Sequence, residues 1–359
     1  MFLEWIRLRN FRNYKDERIT FYNGVNGIVG ANAQGKTNIL EAIYLLITGR
    51  SFRTNVLADM VRDGEESFFI EAGFYKDGVQ QKLSMMSDGK KRHIRHNDTP
   101  CTTATNILGI LRGVIFVPED NDIIRGGPAM RRRFLDIHIA QVDAIYVNTL
   151  IRYNRAMKQR NTLLKAQKIE TIDSWEESMA ADAEYIVTRR RQAINILQRY
   201  SKEAYSMLSG GIETMSLQYK TPAPPTSLKE YYLACYNENR NKEMLYGCTS
   251  IGPHRDDITI TIDDRDARHF ASEGQQRCCV AALRLAEWYT LRDESHDIPF
   301  MAIDDLGISL DEQRRKNFYA ILNSLGQVFL TSTEDLNASG AMTLHVDNGS
   351  IVTESTVLV

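Results

Sequence analysis

The sequence predicts an α/β fold that is divided by a long helical segment. Short apolar runs alternate with turns and helical patterns as far as Pro118, and this alternation resumes after Leu245. Between about Ala129 and Leu208, apolar residues recur instead at the spacing of helices. The predicted parts are the first part of an α/β domain at residues 1–128, an inserted helical domain at 129–244, and the second part of the α/β domain at 245–359.

The composition is that of an ordinary globular chain. The 359 residues include 44 Lys and Arg against 46 Asp and Glu, a net charge of −2, with 43% hydrophobic and 25% charged residues. These values exclude a strongly basic chromatin-like protein, an acidic disordered tail and a low-complexity chain. They do not exclude binding to nucleic acid, because a sum of charges hides their distribution.

Targeting and redox signals predict a cytoplasmic protein without a membrane segment. Glu4 lies where a signal peptide would be apolar. The apolar stretch Ile39–Ile47 contains Glu41 and is far shorter than a membrane-spanning helix. The five cysteines include no CxxC pair, so we expect reduced thiols rather than disulfides or a zinc site.

Two long helices are predicted inside the helical segment, because each of two stretches carries an apolar stripe at helical intervals. The stripes are Tyr146, Leu150, Tyr153, Met157 and Leu164, and Ile186, Ala193, Leu197, Tyr200 and Ala204. A polar loop around residues 170–174 separates them, which predicts a helical hairpin or a short coiled-coil arm. The Pro-rich segment Thr221–Pro225 is the clearest linker signal in the chain.

A phosphate-binding loop is predicted between the apolar run Gly27–Val29 and a following helix. The motif G-x-x-x-x-G-K-[ST] is matched by Gly30, Ala31, Asn32, Ala33, Gln34, Gly35, Lys36 and Thr37. Its glycines let backbone N–H groups turn toward phosphate oxygens, Lys36 reaches the β- and γ-phosphates, and the Thr37 hydroxyl is a Mg²⁺ ligand. The alternative is a Gly-rich turn that only caps the helix.

Two carboxylates follow a second apolar strand. The run Pro299–Ile303 contains no polar residue and ends at Asp304 and Asp305. In phosphate-loop proteins an acidic residue at the end of a buried strand holds Mg²⁺. We assign Asp304 to this metal and Asp305 to the attacking water, so Lys36, Asp304 and Asp305 are the candidate catalytic residues. The alternative is a pair of aspartates that opens a loop.

Two weaker signals flank these aspartates. Upstream, Ser272 is a good N-cap for a helix, and Gly274 allows a backbone to approach a ligand closely. Downstream, an apolar strand ends in the hydroxyl residues 331–333, which suit contact with a terminal phosphate.

The order of these motifs resembles the ABC-type ATPase heads of the SMC-like DNA repair proteins and, within that group, the RecF family of bacterial recombination mediators. The resemblance covers most of the chain. Its further blocks are Leu8–Tyr14, Gly49–Thr54, Val117–Asp120, Gly126–Pro128, Arg131–Asp136, Gly252–Asp257 and Ser272–Arg277. The family's inter-subunit Asp is retained at Asp311, whereas Ala33 and Ser309 stand where the family usually has Gly and Glu.

This resemblance implies an ATP-dependent homodimer. The signature residues Ser272, Gly274 and Gln275 of one subunit are implied to close over the ATP and Mg²⁺ held by the phosphate loop of the other. Relatives often have Glu at the position of Asp305. The shorter aspartate is expected to hold the water less well, which predicts a weak, DNA-stimulated ATPase that acts as a timer.

A DNA-binding surface is predicted on and before the helical segment. Residues 125–133 contain four Arg, residues 144–168 six Lys or Arg, and residues 186–202 five, and these windows contain no acidic residue. The candidates are Arg131, Arg132, Arg133, Arg152, Arg155, Arg189 and Arg190. Such stripes contact phosphates without reading bases, which predicts structure-selective and salt-dependent binding. For any single window, the alternative is a solvated helix face.

The resemblance also implies partners and a pathway. They are double-stranded and gapped or tailed DNA, RecR with RecO, and RecA, whose loading is promoted in DNA repair, replication and the SOS response. Three alternatives remain: the ATPase subunit of a transporter, a repair nuclease with an ABC head, and a P-loop phosphotransferase.

For His254 and Arg255, a hydrogen-bonded His in a packed interface is preferred to a contact with nucleotide or DNA.

Overall fold

The structure of the protein is a computed structural model that describes residues 1–101, 104–295, 297–305, 312–334 and 341–356. Its strands are β1 (Phe2–Phe11), β2 (Tyr14–Thr20), β3 (Val25–Val29), β4 (Phe68–Lys76), β5 (Val79–Ser87), β6 (Arg92–His96), β7 (Thr99–Cys101), β8 (Gly113–Phe116), β9 (Met215–Lys220), β10 (Asp257–Ile262), β11 (Arg265–Asp266), β12 (Phe300–Ile303), β13 (Val328–Ser332), β14 (Met342–Asp347) and β15 (Ser350–Thr356). Its α-helices are α1 (Lys36–Thr48), α2 (Asp122–Arg125), α3 (Pro128–Ala140), α4 (Ala144–Ala166), α5 (Ile172–Ser209), α6 (Leu228–Tyr246), α7 (Ala267–Phe270), α8 (Glu273–Ser295) and α9 (Glu312–Leu322). No helix in this described part is long and apolar enough to cross a bilayer.

A six-stranded sheet carries the strands that end in the predicted functional motifs. Its order is β15-β14-β3-β13-β12-β8, and its neighbours are parallel except for the edge pair β14 and β15. Val29 of β3 lies opposite Ser332 of β13, and Leu330 of β13 lies opposite Ile303 of β12. The loop after β3, the residues after β12 and the end of β13 therefore meet at one edge of the sheet.

One face of this sheet is covered by helix α1 and by a second, antiparallel sheet of order β2-β1-β4-β5-β6-β7. The alternation predicted for β1 is confirmed, because Ile6 and Leu8 are fully buried whereas Arg7 and Arg9 are exposed. Ile6 and Leu8 join the buried side of α1 and Phe300 of β12 in one apolar cluster. The phosphate-loop helix is thus enclosed between two sheets.

The other face of the parallel sheet is covered by helices. Met301 and Ile303 of β12 point away from Phe300 and join an apolar cluster with residues of α4, α5 and α8. Helix α5 packs along both α4 and α8, so the predicted helical hairpin exists and lies against the rest of the fold. Because one apolar core runs from the sheet into the helices, the domain division at residues 129 and 244 stays a prediction.

A third sheet ties the helical segment to the residues that follow it. Strand β9 pairs with β10 and β10 with β11, in antiparallel order. The predicted linker Thr221–Pro225 connects β9 with α6. The carbonyl oxygens of Ala223 and Pro224 accept hydrogen bonds of 2.6 and 2.8 Å from Arg191 of α5. This segment is therefore a fixed connection rather than a free linker.

Candidate functional site

The loop between β3 and α1 has the shape that phosphate binding requires. Gly35 adopts a left-handed backbone, with φ 117°, immediately before α1 begins at Lys36. A Cβ atom on Gly30 would lie 2.4 Å from the carbonyl oxygen of Val346, so only glycine fits there. The Lys36 ammonium group donates to the carbonyl oxygens of Gly30 and Ala31 at 2.6 and 2.8 Å. The lysine charge and the N-terminus of α1 therefore serve one anion site.

Asp304 lies beside this loop and contacts two hydroxyl groups. Thr37 Oγ1 is 3.0 Å from each carboxylate oxygen of Asp304, and Thr331 Oγ1 donates to Asp304 Oδ1 at 2.7 Å. Burial raises the pKa of Asp304 above its usual value, and the two hydrogen bonds partly oppose this effect. A half-buried carboxylate with hydroxyl neighbours is the donor set of a hard divalent cation, so Thr37 and Asp304 fit Mg²⁺.

Asp305 follows Asp304 and lies on the same side of the phosphate loop. Its N–H group donates to Thr331 Oγ1 at 2.9 Å, so Thr331 contacts both aspartates. The backbone of Asp305 is left-handed, with φ 49°. Aspartate adopts this conformation more readily than most residues other than glycine, so the turn after β12 is formed at little cost.

The phosphate loop opens into a cleft of about 870 Å³, which is large enough for a nucleotide. We call it the phosphate-loop cleft, and its lining includes Lys36, Thr37, Asp304 and Asp305. Three arginines for which the sequence predicted no role also line it, and they are Arg12, Arg53 and Arg62. Asp59 and Asp63 line the same walls, so the positive charge is local to the arginines and Lys36 rather than spread over the cleft.

Buried Glu41 of α1 contacts two of these arginines, Arg12 and Arg53. Its carboxylate accepts hydrogen bonds of 2.9 and 2.6 Å from Arg12 and one of 2.5 Å from Ser51, and it lies 3.8 Å from Arg53. Two motif blocks that were quoted only for their family resemblance, Leu8–Tyr14 and Gly49–Thr54, therefore meet at one carboxylate. The family resemblance of these two blocks was the signal in the sequence that could have identified Arg12 and Arg53 as residues of the site.

Residues distant in sequence hold the phosphate loop itself. Asn13 Nδ2 and the N–H group of Gly349 donate to the carbonyl oxygen of Gln34 at 2.7 and 3.0 Å. The N–H group of Asn348 donates to Gln34 Oε1 at 2.7 Å. The loop is therefore fixed by the rest of the fold before a ligand binds.

We expect Ala33→Gly to raise the free energy of unfolding by about 1 kcal/mol, because Ala33 has a left-handed backbone that glycine adopts without strain. The φ of Ala33 is 65°, at the position where the RecF family usually has Gly. Urea denaturation measures the change. Ala31→Gly is the matched control, since Ala31 has no positive φ and the same substitution there lowers stability. A loss of stability in Ala33→Gly would contradict the strain.

The signature residues lie at the start of α8 and not in the phosphate-loop cleft. Ser272 Oγ accepts a hydrogen bond of 3.3 Å from the Gln275 N–H, and Gln275 Oε1 accepts one of 2.7 Å from the Ser272 N–H. This reciprocal pair is a capping box, and Gly274 lies between its members. The structure thus does not bring the signature and the phosphate loop of one chain together. Asp311 and Ser309 lie outside the described residues.

Two of the arginines predicted to contact DNA are buried. Arg131 is 5% exposed and pairs with Asp257 at 2.7 Å, and Arg190 is 2% exposed and pairs with Asp136 at 2.8 Å. These two predictions are wrong for this fold, because a buried guanidinium group with a carboxylate partner is not available to a phosphate. The partners come from other elements, which the acid-free windows of the sequence concealed.

The other five candidate arginines are more accessible. Arg152 and Arg189 each pair with a nearby aspartate, whereas Arg155 is exposed and forms no ion pair with a described residue. Arg132 and Arg133 are half-buried and line a separate cleft between α1, α3 and α4. These five predicted DNA-contacting arginines are therefore divided between the accessible faces of α4 and α5 and a separate cleft.

His254 belongs to a packed interface, as predicted. Its Nδ1 accepts a hydrogen bond of 2.7 Å from the Tyr153 hydroxyl, and its Nε2 donates to the carbonyl oxygen of Thr249 at 3.1 Å. Burial lowers the pKa of His254 to about 4, so the ring is neutral at pH 7. Arg255 donates to the same Thr249 oxygen at 3.3 Å. The turn fixes α4 to the chain that follows α6.

The fold and the phosphate-loop cleft define an ATPase head of the ABC type, built as in the SMC-like proteins. Residues 2–347 match the family described as RecF/RecN/SMC N terminal domain. The DNA replication and repair protein RecF of Protochlamydia amoebophila is 45% identical to this chain over 93% of its residues and 94% of the relative. The chain belongs to the RecF family.

Solved structures agree with this assignment. The recombination mediator protein RecF with ATP, of the RecFOR pathway, has a TM-score of 0.91 at 30% identity and covers 99% of this chain and 98% of its own. The Smc head domain derived from Pyrococcus furiosus shares the fold, with a TM-score of 0.60 at 17% identity over 99% of this chain and 96% of its own. The predicted fold class and resemblance are confirmed, and family membership argues against the transporter, nuclease and phosphotransferase alternatives.

Proposed function

We propose that the protein is an ATP-gated DNA-binding mediator of recombinational repair and replication. The observation that carries the proposal is the site at Lys36, Thr37 and Asp304, where an ammonium group, a helix N-terminus and a half-buried carboxylate serve one cleft. The solved relative that contains ATP supports ATP as the ligand. ATP and Mg²⁺ are accordingly the proposed cofactors.

Each residue of the site has a separate role in the proposal. Lys36 and the backbone of the loop from Gly30 neutralise and orient the phosphates. Thr37 and Asp304 hold Mg²⁺, which supplies further charge neutralisation at the phosphates. Asp305 orients the attacking water and accepts its proton. Because the aspartate side chain is short and its backbone is fixed by Thr331, hydrolysis is slow and bound ATP acts as a timer.

ATP joins two copies of the chain in this proposal. Ser272, Gly274 and Gln275 form an accessible edge at the start of α8, away from the phosphate-loop cleft of their own chain. The family resemblance implies that the signature residues contact bound ATP. Since they lie away from the cleft of their own chain, they are proposed to contact the γ-phosphate held by a partner copy. The dimer therefore depends on ATP in both of its copies.

The proposed DNA surface is the exposed side of α4, continued by Arg189 of α5. Arg152, Arg155, Lys158 and Lys165 lie exposed on α4, and that helix contains no acidic residue. From Arg152 to Lys165 these charges extend along about 20 Å of helix axis, which suits contact with successive phosphates rather than with bases.

We expect Arg155→Glu combined with Lys158→Glu to weaken binding of a gapped duplex about 10- to 100-fold and to reduce its log–log salt slope by about 2. Both side chains are exposed, so the fold is retained. Fluorescence anisotropy over a range of salt concentrations measures affinity and slope. The pair Lys91→Glu and Arg95→Glu on β6 is the control of equal charge change. Affinity and slope that stay at the wild-type values would remove α4 from the DNA surface.

Asp305→Asn is expected to lower the rate of ATP hydrolysis about 100-fold or more while the ATP-dependent dimer persists, because the amide does not accept the proton of the water. Phosphate release with and without gapped duplex measures the rate, and wild type is stimulated by the duplex without cleaving it. Unchanged hydrolysis in the variant would exclude this role for Asp305. Cleavage of the duplex would favour the nuclease alternative.

The pathway partners complete the proposal. RecR with RecO is proposed to act with this protein at gapped or tailed duplex, where RecA is then loaded in the cytoplasm. The support is family membership together with the solved relative of the RecFOR pathway.

A further inference from the structure

A second cleft, of about 430 Å³, lies between the end of α1, strand β6 and helices α3 and α4. We call it the arginine cleft because four guanidinium groups line it, those of Arg50, Arg92, Arg132 and Arg133. None of the four forms an ion pair with a carboxylate in the described part of the chain. The acidic residue in the lining, Asp136, is already paired with Arg190. The cleft therefore carries unbalanced positive charge.

This arrangement is electrostatically unfavourable without an anion. Arg92 donates a hydrogen bond to the carbonyl oxygen of Gly49, and burial together with the charge of Arg50 lowers its pKa. Burial and the charge of Arg190 likewise lower the pKa of Arg132, although the charges of Asp136, Asp257 and Asp256 oppose this effect. Arg132 also donates to the carbonyl oxygen of Asp256 at 2.7 Å. Like charges that are partly removed from water are stabilised by an anion that they share, and guanidinium groups pair with carboxylate or phosphate oxygens through two parallel hydrogen bonds.

The facing wall of the arginine cleft is aliphatic. It is formed by Leu108, Ile137, Ala140, Val147, Leu150 and Ile151. Ile151 is 52% exposed, so part of this wall is open to a partner. The aromatic ring in the lining, Tyr146, is fully buried and offers no face on which a nucleic-acid base could stack. A sugar–phosphate backbone would leave the aliphatic wall uncovered, whereas a polypeptide with apolar side chains would bury it.

We propose that the arginine cleft binds a protein segment that combines acidic and aliphatic side chains. Its carboxylates pair with Arg50, Arg92 and their neighbours, and its aliphatic side chains cover Ile151 and the wall beside it. The proposal does not depend on ATP binding, because the arginine cleft shares no lining residue with the phosphate-loop cleft.

Selection of short random peptides on phage against the full-length protein tests the proposal. Enriched sequences are expected to combine Asp or Glu with Leu, Ile or Val. Fluorescein-labelled copies of these peptides lose affinity about tenfold in Arg50→Glu, which reverses a rim charge, and about fivefold in Ile151→Ser, which removes apolar contact area. Both residues are exposed, so circular dichroism is expected to match wild type. The pair Lys91→Glu and Arg95→Glu, outside the cleft, retains wild-type affinity.

Three outcomes would overturn the proposal. The first is an enriched set without acidic residues, and the second is binding that neither variant weakens. The third comes from a gapped duplex titrated in parallel. If Arg50→Glu weakens duplex binding while Ile151→Ser leaves both duplex and peptide binding unchanged, the cleft belongs to DNA. Variants that lose the ATP-dependent dimer are still expected to bind the peptides. Failure of the ATP-dimer proposal and failure of the arginine-cleft proposal can therefore be distinguished.

Discussion

Lys36→Met is expected to abolish the ATP-dependent dimer and to weaken ATP binding about 100-fold or more. Methionine retains the aliphatic stem of the lysine but removes the ammonium group, which in the structure donates to the carbonyl oxygens of Gly30 and Ala31. A charge-assisted contact between that group and the phosphates is lost, in a partly buried site where water replaces it poorly. Sedimentation velocity without nucleotide, with ADP and with ATP measures the dimer, and equilibrium binding of ATP measures the affinity.

Ser272→Arg separates binding from dimerisation. Because Ser272 does not line the phosphate-loop cleft, this variant is expected to bind ATP with nearly wild-type affinity and yet to remain a monomer. The control for Lys36→Met is Lys316→Met, which removes one charge at an exposed lysine of α9. We expect it to leave ATP binding and the ATP-dependent dimer unchanged. A dimer that still forms with ATP in Lys36→Met would defeat the proposal that nucleotide at the phosphate loop joins the two copies.

Arg160→Met is expected to lower the free energy of unfolding by about 3–5 kcal/mol, the typical effect of removing one partner from a buried ion pair. Arg160 is fully buried in α4 and pairs with Glu176 of α5 at 2.9 Å and with Glu243 of α6 at 2.5 Å. It also donates to Thr249 Oγ1 at 2.9 Å. The substitution leaves Glu243 buried without its guanidinium partner, whereas Glu176 keeps Arg240. Urea denaturation measures the loss.

Two further variants distinguish charge from packing in this cluster. Arg155→Met, at an exposed position of the same helix, is expected to change stability by less than about 0.5 kcal/mol. Combining Arg160→Met with Glu243→Gln is expected to recover about 1–2 kcal/mol, because the unpaired buried charge is removed. If the double variant recovers nothing, the loss reflects packing. An unchanged unfolding midpoint in Arg160→Met would show that the pair contributes nothing to stability.

Sequence alone predicted the centre of the phosphate-loop cleft because its signals are local. The phosphate loop occupies consecutive residues, and Asp304 follows an apolar strand, so the rule that such an acidic residue holds Mg²⁺ in phosphate-loop proteins was enough to bring them together. The alternation in β1 and the stripes of the two long helices likewise depend on near neighbours, and both were confirmed.

The features that the sequence did not predict depend on contacts between residues far apart in the chain. Arg12 contacts Glu41 across 29 residues, and Arg131 contacts Asp257 across 126. A window without acids shows only that no partner is near in sequence, and folding supplies one from another element. The same limitation concealed the arginine cleft, whose charges come from the end of α1, from β6 and from α3.

The strand order of the parallel sheet bears on how the chain is made. Strand β3, which carries the phosphate loop, has β13 on one side and β14 on the other, and these strands begin only at Val328 and Met342. A ribosome adding about 5–20 residues per second takes roughly 15–60 s to complete the intervening stretch of about 300 residues. Until then the two strands that pair with β3 in the finished sheet have not both been synthesised. The parallel sheet around the phosphate loop therefore closes only near the end of synthesis, so the phosphate-loop cleft is among the last parts of the fold to be completed.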